Sequence, residues 1–134
     1  MAITEEQALT SVKKVILVAD DSSTVRKFVS FSLALENFQI ITAVDGMDAL
    51  EKISRNTVDL AIVDLNMPNM DGFELIRAIR NSPDLKTLPV IILSSETSEK
   101  SKQLGRDAGA DAYLEKPFNA NRIKYQVSKF LSLP

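Results

Sequence analysis

The stretch VDLAIVDLNMPNMDG, Val58 to Gly72, runs directly into FELIRAIR, which ends at Arg80. Its first half holds an unbroken apolar run, Leu60 to Val63, of strand length, which stops on a charge at Asp64. Asn66, Pro68, Asn69 and Gly72 are turn formers. Asp71 and Glu74 then stand at capping-box spacing, and Phe73, Ile76 and Ile79 recur with the period of a helix. A half-exposed strand alternates polar with apolar residues; a continuous apolar strand is what a parallel sheet covered by helices on both faces requires.

Outward from this unit the same pattern repeats. Val15 to Ala19, Phe38 to Ala43, Val90 to Leu93 and Ala112 to Leu114 are further apolar runs, each followed by helical spacing. Inward stripes are expected at Val25, Phe28 and Val29 in the first helix, Ala49, Leu50 and Ile53 in the second, and Ile123, Val127 and Phe130 in the fifth. Asp45 marks the start of the second helix and Asn119 that of the fifth. The fourth helix, roughly Ser98 to Ala108, is weakly specified. Its inward positions are Ser101, Leu104, Gly105 and Ala108, and an interior glycine costs about 1 kcal/mol against alanine. The fold class is therefore α/β, a doubly wound (βα)5 chain with a five-stranded parallel sheet; periodicity does not give the strand order, for which the common flavodoxin-like order 2-1-3-4-5 is expected. Residues 1–12 show neither period nor turn chemistry and are assigned to an N-terminal extension, residues 13–134 to one domain.

Composition agrees and narrows the chemistry. A chain of 134 residues with 45% hydrophobic and 25% charged residues has the size and balance of one globular domain. No apolar run approaches the roughly 18 residues of a membrane span, and Met1 to Thr10, with Glu5 and Glu6, does not resemble an export signal, so a cytoplasmic location is expected. The chain has no cysteine, which excludes disulfides, thiolate metal sites and a cysteine nucleophile. It has no histidine either, which leaves carboxylates as the strong metal ligands and points to a hard cation such as Mg2+. A net charge of -2, with Lys and Arg scattered, offers no footprint for nucleic acid.

In open parallel sheets, ligands bind beyond the carboxyl ends of the strands, at the point where connections diverge. Asp20 and Asp21 follow the first strand, Asp64 ends the third, Ser94 the fourth and Lys116 the fifth. With the first and third strands adjacent, three carboxylates converge and repel one another unless a divalent ion neutralises them. Magnesium suits such a site because it takes one or two carboxylates and keeps several waters. A carboxylate there can attack a phosphoryl group, with Lys116 and the metal balancing charge. Each residue alone has an ordinary role. Asp20 or Asp21 could cap the first helix, Asp64 a turn, Ser94 could satisfy a loop amide, Lys116 could be solvated, and Tyr113 could be a half-buried sheet aromatic. Their joint placement on one sheet edge separates a site from coincidence.

Asp20-Asp21, the run from Val58 to Gly72, Ser94 and Lys116-Pro117 together resemble the bacterial response regulator receiver domain over nearly the whole chain. Within that family the stand-alone chemotaxis type (CheY-like) is most similar, as the chain stops after the fifth helix. The resemblance implies that Asp64 is the phosphoacceptor and that Asp21, Asp64 and the backbone carbonyl of Asn66 bind Mg2+ directly, with Asp20 acting through water. It implies that Lys116 contacts the phosphoryl group, that Ser94 turns its hydroxyl toward it, and that Tyr113 moves from exposed to buried. Asn66 and Glu96 would tune self-dephosphorylation, and Ser95 stands where a small alanine or glycine is usual. The fourth helix, fifth strand and fifth helix would form the output face.

The chain has no histidine of its own to act as a phosphohistidine donor, so the phosphoryl group must come from a partner kinase, which the resemblance implies is a sensor histidine kinase, or from a small acyl or amido phosphate. The implied targets are a flagellar motor switch protein, a chemotaxis phosphatase or the kinase itself, met by a monomer that catalyses only its own phosphotransfer and dephosphorylation. Alternatives are a receiver excised from a larger regulator, a phosphate sink without a target, and a small magnesium-dependent phosphatase. The last is disfavoured because Asn66 stands where such enzymes carry their acid aspartate.

Overall fold

Each apolar strand splits its side chains between two faces, and that split sets the layers. In the computed structural model, which describes residues 13–116 and 118–131, the elements are β1 (Val15–Ala19), α1 (Ser23–Ala34), β2 (Gln39–Ala43), α2 (Gly46–Arg55), β3 (Leu60–Asp64), α3 (Gly72–Asn81), β4 (Val90–Ser94), α4 (Glu99–Ala108), β5 (Ala112–Glu115) and α5 (Ala120–Leu131). The extension at residues 1–12, Pro117 and the last three residues lie outside the described residues. All strand pairs are parallel, in the order β2-β1-β3-β4-β5. The expected fold class and strand order are what the chain adopts.

Ile16, Val18, Leu60, Ile62, Ile91, Leu93 and Leu114 face one side, where they meet Val29 and Leu33 of α1 and Ile123, Val127 and Leu131 of α5. Leu17, Ala19, Ala61, Val63, Val90 and Ile92 face the other, under Ala49 and Ile53 of α2, Leu75, Ile76 and Ile79 of α3 and Ala108 of α4. Full burial of each Ile or Leu contributes about 1.5–3 kcal/mol, so the two-sided core explains why the strands read as unbroken apolar runs. Among the described residues, no helix is long and apolar enough to cross a membrane.

Every helix start is fixed by a side-chain cap. Ser22, Asp45, Asp71, Ser98 and Asn119 accept hydrogen bonds from the amides of Val25, Asp48, Glu74, Ser101 and Arg122. Asp71 and Glu74 complete the predicted capping box. At the opposite end of the sheet from these caps, Arg80 ties α3 to the turn after α4, donating to the Gly109 and Leu88 carbonyls at 2.9 and 2.6 Å and to Asp111 at 2.9 Å. Nothing in the sequence marks that clamp.

Three local expectations need correction. The second strand begins at Gln39 rather than Phe38, which is buried just before it. Phe28 is 42% exposed: Leu33 takes the inward place on α1, and the Phe28 ring leans on Phe118 at 5.8 Å between centroids. Leu104 is 38% exposed, and α4 buries only Gly105 and Ala108. A Cβ on Gly105 would sit 2.8 Å from Ile92 Cδ1 and 3.5 Å from the Tyr113 ring. The glycine thus lets α4 lie close on the sheet, and a helix that close has no room to turn Leu104 inward.

Candidate functional site

Strand register sets the first geometry. Ala19 of β1 pairs with Val63 of β3, so the residues that follow, Asp20 and Asp64, emerge side by side at the carboxyl edge. Asp20 is 2% and Asp64 6% exposed, while Asp21 faces solvent. One oxygen from each of these three carboxylates can be chosen so that all lie within 4.8 Å of one another. Lys116, at the end of β5, reaches across β4 to place its Nζ 3.3 Å from Asp20 Oδ2 and 3.6 Å from Asp64 Oδ1.

Local hydrogen bonds hold this edge in place. The Asp20 amide donates to the Ala43 carbonyl at 3.1 Å, and the Asp20 carbonyl accepts from Arg26 Nη1 at 2.7 Å. Ser22 gives its amide to Asp20 Oδ1 at 2.9 Å and uses its hydroxyl to cap α1. The capping role open to Asp20 or Asp21 is thus taken by Ser22; Asp21 faces solvent, while Asp20 accepts from the Ser22 amide at Oδ1 and from Lys116 at Oδ2.

Charge does not balance among these groups, since three carboxylates face one ammonium. Burial, and next the neighbouring Asp20, push Asp64 up to about 6, against the opposing pull of Lys116. An all-oxygen donor set, two-thirds buried and open to water at Asp21, suits a hard divalent ion that keeps part of its hydration shell. Asp20, Asp21 and Asp64 are the residues that could hold one, and uncompensated negative charge is what such an ion relieves.

The loop between β3 and α3 forms one wall. Its start and end are drawn together by the Gly72 amide, which donates to the Leu65 carbonyl at 2.9 Å. A Cβ at Gly72 would overlap the Asp64 carbonyl, so only glycine lets α3 begin so close to Asp64. Asn66 is exposed, Met67 is buried, and Asn69 adopts a left-handed conformation with φ 68°. Asn69 Nδ2 donates to Asp45 Oδ2 at 2.7 Å, and the Gly46 amide donates to the Met70 carbonyl at 3.1 Å. The Asp48 amide and then the Asn69 side chain hold the Asp45 carboxyl below the usual carboxylate range.

The loop after β4 forms the opposite wall. Ser94 is fully buried, and its hydroxyl accepts from the Glu96 amide at 3.0 Å. The Lys116 amide donates to the Ser94 carbonyl at 2.8 Å, which levels β5 with β4. Ser95 and Glu96 are exposed; Tyr113 is half-buried and donates its hydroxyl to the Glu96 carbonyl at 2.7 Å. Lys102 of α4 is paired with Glu115 of β5, and that bond raises the lysine above its ordinary range.

The predicted Asp20, Asp21, Asp64 and Lys116 are therefore brought together, with Ser94 at the end of β4 and Ser95, Glu96 and Asn66 on the loops around them. Arg26, Ser22 and the Asp45–Asn69 pair were not singled out in the sequence for this edge. Ser22 carried a readable signal as a hydroxyl just before the first helical stripe, whereas a bond between residues 24 apart in two loops carries none.

Comparison with known proteins gives a consistent picture. A family model described as the response regulator receiver domain matches residues 16–128. Protein PilG of Pseudomonas aeruginosa is 39% identical over 108 residues, which span 81% of this chain and 80% of that protein. Response regulator GtcR of Aneurinibacillus migulanus is 43% identical over 106 residues, 79% of this chain but 43% of that protein, so the chain spans less than half of that relative's length. The structure of the Vibrio cholerae chemotaxis protein CheY4 superposes with a TM-score of 0.85 at 37% identity, covering 90% of this chain and all of that one.

Proposed function

Because the chain belongs to the response regulator receiver family, we propose that it is a phosphorylation-driven signalling switch in which Asp64 accepts a phosphoryl group. The observation that carries this reading is the Asp20, Asp21 and Asp64 cluster with Lys116 Nζ bridging two of its members. An Asp64 carboxylate oxygen attacks phosphorus, the bond to the donor atom breaks with its electron pair leaving on the donor, and an acyl phosphate remains. The donor is a sensor histidine kinase or a small acyl phosphate.

Asp21, Asp64 and the Asn66 carbonyl would hold Mg2+, with Asp20 acting through water, and the bound ion would supply charge neutralisation at the transferring group. Lys116, already poised between Asp20 and Asp64, exchanges that pairing for a phosphoryl oxygen. Ser94, whose oxygen accepts from Glu96, keeps its own proton to donate to the new anion. Tyr113, bonded to the same Glu96, carries the change to the α4, β5 and α5 face, where a partner protein reads it. Water then attacks the acyl phosphate, with Asn66, Glu96 and Ser95 shaping its approach.

Likeness to a chemotaxis protein supports a chemotaxis-type output through this face, with a motor switch protein or a phosphatase as its reader. The greater length of GtcR supports a second reading, in which the switch acts on an output module of the same protein. Titration of a candidate target against the phosphorylated form separates either from a phosphate sink, which binds no target.

Intact-mass analysis after incubation with a small acyl phosphate tests the site. A gain of one phosphoryl group that needs both Mg2+ and Asp64, and then decays, is expected. No gain, or an equal gain in Asp64→Asn, overturns the reading.

A further inference from the structure

We propose that the Asp45–Asn69 hydrogen bond positions the Asn66 carbonyl for the divalent ion, which makes Asp45 and Asn69 positioning residues of the Asp64 site. This rests on the phosphoacceptor reading above and adds to it two residues that do not touch the ion.

The loop from Leu65 to Asp71 is secured at its far end by the Gly72 amide and the α3 capping box. Leu65 and Met67 are buried in the core on either side of Asn66, but the outer part of the loop, where Pro68 and Asn69 are exposed, has no such support of its own, the short Met70 amide to Pro68 carbonyl turn, 2.7 Å, being internal to the loop. The support comes from outside. Asn69 Nδ2 donates to Asp45 Oδ2 at 2.7 Å, and beside it the Gly46 amide donates to the Met70 carbonyl at 3.1 Å. A Cβ at Gly46 would overlap that carbonyl, so the two loops meet only because position 46 is glycine.

Asp45 is itself held rigidly. Its Oδ1 accepts from the Asp48 amide at 2.8 Å as the cap of α2, which fixes the carboxylate plane and aims Oδ2 at the neighbouring loop. Capping accounts for one oxygen and leaves the other unexplained. Asn69 meets it from a left-handed backbone, φ 68°, a conformation that asparagine tolerates better than most residues. Magnesium demands near-octahedral geometry, and a backbone carbonyl can meet it only if its loop is held from behind.

Two substitutions break the bond while sparing the local backbone. Asn69→Gly keeps the left-handed turn without strain, and Asp45→Ser keeps a helix cap but leaves no second oxygen. The chain has no tryptophan, so Mg2+ binding is read by titration calorimetry. Each variant is expected to weaken Mg2+ binding about tenfold, and the double variant no further. Amide exchange of residues 66–70 in the metal-free protein should quicken in both, with melting midpoints in chelator close to that of the parent. Asp45→Asn, whose amide can pair with a flipped Asn69, should recover most of the affinity.

Unchanged affinity in Asn69→Gly, losses that add in the double variant, or an Asp45→Asn loss equal to that of Asp45→Ser overturns the positioning role. Parent protein that binds no Mg2+ overturns the phosphoacceptor reading with it; normal binding and phosphoryl uptake with indifferent variants overturn the positioning role alone.

Discussion

The Tyr113 hydroxyl donates to the Glu96 carbonyl at 2.7 Å while the amide of the same Glu96 donates to Ser94 Oγ at 3.0 Å. One residue of the loop after β4 is thus held from both sides, by a buried hydroxyl at the acidic edge and by an aromatic side chain on β5. Any displacement of Ser94 toward the acidic cluster pulls on the peptide that Tyr113 holds.

Tyr113→Phe removes one half of this grip. The lost bond lies near the surface, so the stability cost should stay within about 0.5–1.5 kcal/mol. Phosphoryl uptake, which the proposed function assigns to Asp64 and Lys116, should proceed at close to the parent rate, while amide exchange of residues 95–98 quickens and target affinity falls. Exchange mass spectrometry beside an uptake assay checks the separation. A large fall in uptake would place Tyr113 in the chemistry itself.

Asp64 makes the metal-free protein sensitive to pH. Its folded value, about 6, lies above the ordinary 3.8. The ionised form is thus disfavoured in the fold, and the penalty is absent below about pH 4 and grows as pH rises through about 6. In chelator near pH 8, Asp64→Asn should be more stable than the parent by about 1–3 kcal/mol. Urea melts should show the gap closing toward about pH 4, and closing also when Mg2+ is added at high pH.

A divalent ion held as proposed would compete with Lys116 for the same carboxylates, because the Lys116 Nζ lies 3.3 Å from Asp20 and 3.6 Å from Asp64. Lys116→Gln should lower metal-free stability by about 1–2 kcal/mol while tightening Mg2+ binding several-fold. Phosphoryl uptake should nevertheless slow, since the anion formed loses its ammonium partner. Weaker Mg2+ binding in this variant would contradict competition at the site.

Gly105 sets how closely α4 approaches the sheet. Gly105→Ala sets a helix-propensity gain of about 1 kcal/mol against contact with the movable end of Ile92, and should change stability little. Gly105→Val adds branches where Ile92 and Tyr113 already stand and should cost about 2–3 kcal/mol. Denaturant midpoints of both variants decide this, and equal midpoints would mean that α4 shifts outward freely.

By itself the sequence determined the architecture. Unbroken runs such as Leu60 to Val63 can be buried only on both faces, and caps such as Asp45 and Asp71 are local chemistry that spacing reveals. It also determined the members of the acidic edge, because in a doubly wound sheet the residues that end the strands must share one rim. Tertiary structure alone decided how those members are held. Ser22 rather than an aspartate caps α1, Lys116 spans Asp20 and Asp64, and Asp45 ties down Asn69, each through contacts between residues that the chain keeps apart. The placing of Phe28 and Leu104 likewise depends on which neighbours occupy the inward positions of their helices. A helical period states which residues share a face but not how near the next element lies, and Gly105 against Ile92 settles that distance.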